Sequence, residues 1–202
     1  MGRLLFSLVL MGALSAGQPP AQAGTKDAPG DLVRRSYDSI MTMVASVKTR
    51  RELSEKITHI LDRLVDWDAF SIKTLSAGTW EGFKPSQRKA FSSAFRGLIV
   101  RRYAKRFKPG SRFDVEVRGK TEFVGDEGAW VRTTVHTKKG KKRLGVDVDY
   151  DFRRVAAGWR TSDIVTDGVS RARSYRPKFK RILKKRGFDA LVAAIKKNAK
   201  RP

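Results

Sequence analysis

Leu144-Gly145-Val146-Asp147-Val148-Asp149-Tyr150-Asp151-Phe152 alternates without a slip. Its even positions are apolar, and its odd positions are Gly and three Asp. Successive side chains of a strand point to opposite faces, so this segment has one dry face and one wet face. That pattern belongs to an antiparallel sheet covered on one side only. Working outward, Phe113, Val115 and Val117 alternate with Asp114, Glu116 and Arg118. Trp130 to Thr137 follows the turn Gly125-Asp126-Glu127-Gly128, and the Lys-rich turn 138–143 closes a hairpin. Downstream, Ala157-Gly158 leads into a last strand, Trp159 to Val165. The reading is a four-stranded antiparallel meander.

On both sides of the meander the apolar period changes from two to about 3.6. Asp31 is placed to cap a helix carrying Val33, Tyr37, Ile40, Val44 and Val47. A second helix, from about Arg51 to Leu64, carries Leu53, Ile57, Ile60, Leu61 and Leu64. Asp66 caps a third, ending near Gly78. Pro85 suits the first turn of a long helix to about Phe107, stopped by Pro109-Gly110. Its inward side holds Phe91, Phe95, Leu98, Ile99, Arg102 and Tyr103. After the sheet come two helices, the first over Ser174–Arg186 with Tyr175 and Phe179 on one side. The expected class is α+β, with the N-terminal helices and the two C-terminal ones packed on one sheet face. Val115, Val117, Val131, Val135, Val146, Val148, Tyr150 and Ile164 form the face that meets them. From the residues alone, that face lines either a filled core or a cavity.

Residues 1–23 have the features of a secretory signal peptide: Arg3, a short apolar run from Leu4 to Ala16, and Ala21-Gln22-Ala23 as a cleavage site. The run is short of the roughly 20 residues that span a bilayer. Residues 24–202 then form a single domain. There is no cysteine, which excludes thiolate catalysis, thiolate metal sites and CxxC redox work. The formal net charge is +24, and Arg171 to Pro202 holds thirteen Lys/Arg against the one acid Asp189. Such a balance favours polyanionic partners. A secreted chain meets anionic membrane surfaces rather than intracellular nucleic acid, so no nucleic acid is expected. Arg171, Arg173, Lys184, Lys185 and Arg186 are the candidate docking residues.

Catalytic and metal chemistry find little support. Asp147, Asp149 and Asp151 are spaced roughly 6.5–7 Å apart along a strand, too far for one ion, and suit a wet face with partners such as Arg132 or Arg160. A dyad of His136 with an aspartate, on a fold resembling the NTF2-like enzymes, has no other motif to back it. Aromatic–basic runs such as Arg102-Tyr103 and Lys178-Phe179-Lys180 imitate a single-strand-binding surface. However, Tyr103 and Phe107, like Tyr175 and Phe179, stand four apart on one helix face and suit a core or pocket.

Two blocks carry a family resemblance. The first is Gly158-Trp159, Asp163-Ile164, Gly168-Val169-Ser170, then Tyr175-Arg176 and Phe179, then Gly187-Phe188-Asp189 and Leu191. The second is Asp66-Trp67-Asp68-Ala69-Phe70, Leu75, Gly78, Trp80, Pro85, Gln87-Arg88, Phe91 and Phe95. Together they resemble the MlaC-like auxiliary proteins of lipid-transporting ABC systems, the toluene tolerance family. The resemblance implies a periplasmic carrier without catalysis or cofactor, which holds a phospholipid by its acyl chains. Its partners would be an inner-membrane ABC transporter with its MCE-type component, and an anionic membrane. It also implies that the sheet face, with Phe91, Phe95, Leu98, Tyr103, Tyr175 and Phe179, lines a tail-binding cavity lined almost wholly by carbon, with basic residues at its mouth. A basic surface adaptor without internal ligand, and a hopanoid or isoprenoid carrier of the same family, are the alternatives. The chain departs from the pattern at Arg171-Ala172-Arg173-Ser174, at Phe70 and at Pro177. A mid-helix Pro costs about 3 kcal/mol, so either Ser174 caps the helix and Pro177 lies in its first turn, or the helix bends.

Overall fold

The structure, a computed structural model, describes residues 28–105, 107, 112–139 and 142–200. The signal segment 1–23, the Pro109-Gly110 stop and the Gly140-Lys141 part of the Lys-rich turn lie outside the described residues. Among the described residues, five helices precede the sheet: α1 (Ala28–Ser46), α2 (Arg50–Leu64), α3 (Trp67–Leu75), α4 (Ala77–Glu81) and α5 (Pro85–Ala104). Seven strands follow among the described residues: β1 (Asp114–Val117), β2 (Glu122–Val124), β3 (Gly128–Val131), β4 (Thr133–Lys139), β5 (Lys142–Val155), β6 (Gly158–Thr166) and β7 (Val169–Ser170). The last element, α6 (Arg171–Lys200), is broken at Gly187.

The helix starts follow local chemistry. Thr49 caps α2 by accepting the Glu52 N–H, and Asp66 caps α3 by accepting the Ala69 N–H at 2.9 Å. Pro85 sits in the first turn of α5, where its missing N–H has no intrahelical partner to lose. Asp31 is not the cap of α1. That helix already starts at Ala28, and Asp31 stands in its first turn, paired with Arg34 at 3.1 Å. The third expected helix is two, because Ser76 at φ 89° breaks it before Gly78.

The meander is present, with each of its first two strands broken in two. β3 and β4 lie in succession along one edge of β5: β3 pairs residues 150–153, β4 pairs 142–147. Arg132, between them, belongs to neither. β1 and β2 pair β4 and β3 in the same way. β6 pairs the other edge of β5, with a register shift between Asp151 and Phe152, and β7 extends it.

Val148, Tyr150 and Phe152 of β5 are buried on the inner face, together with Val131 and Ile164. α1 lies against β1 and β3, while α3 and α6 lie against β6. The odd positions of β5 carry the acids to ion pairs. Asp149 pairs with Arg118 and Arg132, each at 3.0 Å, and Asp147 with Arg118 at 3.4 Å. Asp151 takes Lys73 of α3, while Arg160 donates instead to the Asp62 carbonyl at 2.6 Å. The aspartate row is thus a wet face with cationic partners, as its spacing suggested.

α6 starts at Arg171, not near Ser174. Ser170 is its cap, accepting the Arg173 N–H at 3.0 Å. Pro177 therefore lies inside the helix, and the non-helical residue is Gly187, with φ 77° and ψ −177°. Arg176 ties α6 to the end of α3 by donating to the Lys73 and Thr74 carbonyls, two of those a helix end leaves without partners.

Candidate functional site

A cavity of about 230 Å³ opens between the inner sheet face and the helices. Its sheet side is built by pairing. Val135 of β4 lies beside Val146 of β5, and Val148 lies beside Thr166 of β6. With Ile164 and Thr137 they make one wall. Tyr37 of α1, Phe70 of α3, and Ile99, Arg102 and Tyr103 of α5 make the opposite one. Phe107 and Phe113 approach from the segment between α5 and β1, with ring centres 5.2 Å apart. Arg171 and Tyr175 complete the lining from α6.

Six of the expected lining residues therefore meet there: Tyr103, Val135, Val146, Val148, Ile164 and Tyr175. The others are elsewhere. Phe91, Phe95 and Phe179 form a second aromatic layer behind the wall. Phe95 stacks on Phe70 at 5.5 Å and meets the Tyr175 ring edge-on at 5.3 Å. Phe179 meets Phe91 edge-on at 5.9 Å. Leu98 and Phe179 border a separate hollow of only about 10 Å³ between α5 and α6. Val131 and Tyr150 are fully buried on the part of the face that α1 reaches. Val115 and Val117, on β1 at the sheet edge, are half-buried and pack against the core away from the cavity. Tyr37 of α1 and Phe70 of α3 take places in the lining, and Phe95 lies stacked behind Phe70 rather than at the cavity.

The lining is apolar in the main but not wholly carbon. The chain's four tyrosines gather here. Tyr37, Tyr103 and Tyr175 line the cavity, and Tyr150 lies just beneath, its hydroxyl 2.9 Å from that of Tyr37. Burial, reinforced by Tyr37 and Tyr103, holds the Tyr150 hydroxyl proton well above the usual tyrosine range. The hydroxyl is therefore neutral throughout the physiological range. Tyr37, Phe70, Ile99, Phe107 and Phe113 were visible as apolar positions, but sequence spacing gave no sign that they converge. Arg102 and Arg171 add charge at the cavity's edge.

Of the expected docking residues, Arg173, Lys184, Lys185 and Arg186 are exposed on α6, while Arg171 turns into the cavity lining. His136 points away from the cavity, since its neighbour Val135 points in, and its Nε2 lies 3.1 Å from Glu116, not an aspartate. No helix among the described residues is long and apolar enough to cross a membrane.

A helical layer over one face of an antiparallel sheet, with an apolar chamber between them, defines a cavity-bearing α+β fold. The chain belongs to the MlaC family: the model of the family described as MlaC protein matches residues 34–197. Among solved structures, a similar one is the phospholipid-binding protein from Ralstonia solanacearum in complex with a phospholipid. It shares 18% identity at a TM-score of 0.73, over 86% of this chain and 96% of that one, a likeness of fold. No curated protein matches the sequence.

Proposed function

We propose that this chain is a periplasmic phospholipid carrier that shields acyl chain in the cavity and exchanges its cargo with an inner-membrane ABC transporter through its MCE-type component. The observation that carries the reading is the cavity itself, walled by Val135, Val146, Val148 and Ile164 on one side and aromatic rings on the other. Membership in the MlaC family, and the phospholipid held by the Ralstonia relative, support it. Each CH2 withdrawn from water contributes about 0.8 kcal/mol, so a carrier competes with a bilayer only by offering comparable apolar surface. At about 230 Å³ the chamber exceeds the apolar cavity of roughly 150 Å³ that takes up benzene, and is smaller than most sites for drug-sized ligands. As it stands it takes part of one acyl chain.

The head group stays at the surface, because burying a phosphate demands full pairing. The exposed cations of α6, Arg173, Lys184, Lys185 and Arg186, face the anionic bilayer or the transporter during exchange. Native mass spectrometry of the purified protein, followed by lipid extraction, tests the reading. The expected result is a phospholipid adduct that survives gentle ionisation and is regained from vesicles after delipidation. A protein that carries no lipid and takes up none would overturn it. Val148→Trp should fill part of the chamber and lower occupancy, at an overpacking cost of about 1–3 kcal/mol. Unchanged occupancy in a folded Val148→Trp protein would remove this wall from the site.

A further inference from the structure

Among the described residues, Arg102 and Arg171 are the only charged side chains in the cavity lining, and no carboxylate lines it. Several arginines elsewhere in the fold are engaged. Arg96 pairs with Asp62, Arg118 and Arg132 with Asp149, Arg153 with Asp66, and Arg160 and Arg176 bond backbone carbonyls. Arg102 and Arg171 make no ion pair among the described residues. They are nonetheless held in place. The Arg102 guanidinium carbon lies 5.4 Å from the centre of the Tyr175 ring. Arg171 donates its Nε to Thr166 Oγ1 at 3.1 Å, which leaves both of its Nη groups for another acceptor. Tyr175 follows Arg171 by one helical turn, so both project from one face of α6, and Arg102 reaches Tyr175 from α5.

A guanidinium fixed by stacking or by its Nε presents the remaining N–H fork in one plane, the geometry that suits phosphate oxygens. Two such forks at the rim of an apolar chamber, without a counter-charge, fit a ligand that is apolar in one part and anionic in the next. We propose that Arg102 and Arg171 bind the phosphate of a lipid whose tail occupies the cavity, and that they make the protein select phosphate-bearing lipids over neutral lipids with the same tails. This rests on the carrier reading and adds to it a head-group selectivity set by two named side chains.

The test is displacement of a fluorescent fatty-acyl probe by lipids of matched tails: phosphatidic acid, phosphatidylglycerol and diacylglycerol. The proteins are the wild type, Arg102→Gln, Arg171→Gln, the double variant, and Arg102→Lys/Arg171→Lys. Wild type should prefer both phosphatidyl lipids over diacylglycerol by roughly 10- to 100-fold. The double Gln variant should lose that preference, its affinity for the phosphatidyl lipids falling by much more than its affinity for diacylglycerol, and the double Lys variant should recover part of it through charge alone. Thermal melts establish that each variant is folded. A double Gln variant that keeps the preference, or that loses both lipid classes equally, would overturn the proposal and leave the carrier reading standing. Uptake of no lipid by the wild type would overturn both. Inorganic phosphate serves as a further arm: it should not displace the probe at millimolar concentration, and displacement would make this a site for free phosphate rather than for a lipid.

Discussion

Asp163 is 4% exposed, and its carboxylate is fully engaged. Oδ1 accepts the N–H of Ile164 at 2.8 Å and of Ala172 at 3.0 Å, and Oδ2 accepts the hydroxyl of Ser170. One buried acid thus joins β6 to the first turn of α6, whose positive end it faces. Asp163→Ala should cost about 2 kcal/mol, since it strands buried donors. A melting temperature lower by roughly 4–8 °C is the expected reading by circular dichroism; an unchanged melt would mean that water replaces the carboxylate. Asp62 has a comparable place among α2, α3 and α5, accepting from Arg96 and from Trp67 Nε1. Arg96 is the main cause that holds its carboxyl below the ordinary value of 3.8, against a smaller opposing effect of burial. A depressed folded-state pKa stabilises above the unfolded value and is lost as pH falls through the folded one. Melting temperature should therefore fall below about pH 4, and less steeply in Asp62→Asn. Both side chains of the pair are about a third exposed, which limits the effect to about 1 kcal/mol or less. The sequence displays Asp163 as one acid of a motif, but only the return of α6 onto β6 gives it a task. Arg102 was legible as a basic residue beside an aromatic one, and Arg171 as a candidate docking residue. Their convergence on one cavity was not, because they come from elements separated by the whole sheet.

The alternating run of β5 is readable because one side of the sheet is wet, so each acid marks the outer face and each apolar residue the inner one. The helical stripes of α2 and α5 are readable for the same kind of reason. What escapes is punctuation carried by tertiary contact. Arg132 breaks the second strand of the meander, and nothing in Val131-Arg132-Thr133 says so. In the fold its guanidinium lies 4.6 Å from the centre of the Trp130 ring and grips Glu122 and Asp149, where β3 gives way to β4. The break in α6 is the opposite case, since glycine before Phe188 is a local signal. A side chain at Gly187 would meet nothing within 4 Å, so the cost of adding one is confined to the backbone. Gly187→Ala should lower stability by about 1–3 kcal/mol, because φ 77° with ψ −177° is open to glycine almost alone. Chemical denaturation measures it. A cost near zero would show that the two arms of α6 can join as one straight helix.

For the molecule as a whole, charge and burial make separable predictions. Binding to anionic vesicles through the cations of α6 should weaken as salt rises, since the Debye length is about 8 Å at physiological ionic strength. Lipid held in the cavity should survive the same salt, because tail burial is not screened. Replacing Arg173, Lys184, Lys185 and Arg186 by Glu should abolish vesicle binding and leave occupancy intact. Parallel loss of both with salt would place the lipid on the surface and favour a basic adaptor without internal ligand. The Tyr37–Tyr150 contact has a further consequence, for the order of events in time. It joins residues 113 positions apart, and the wall between them is completed by Tyr175. The buried Leu191 and Ile195, beyond the break in α6, come later still. A chain still emerging in the N-to-C direction holds the sheet's strands before it holds the residues that close the chamber over them. The chamber is therefore whole only after synthesis has passed Tyr175, and on the carrier reading it is filled after the chain is made, not while it grows.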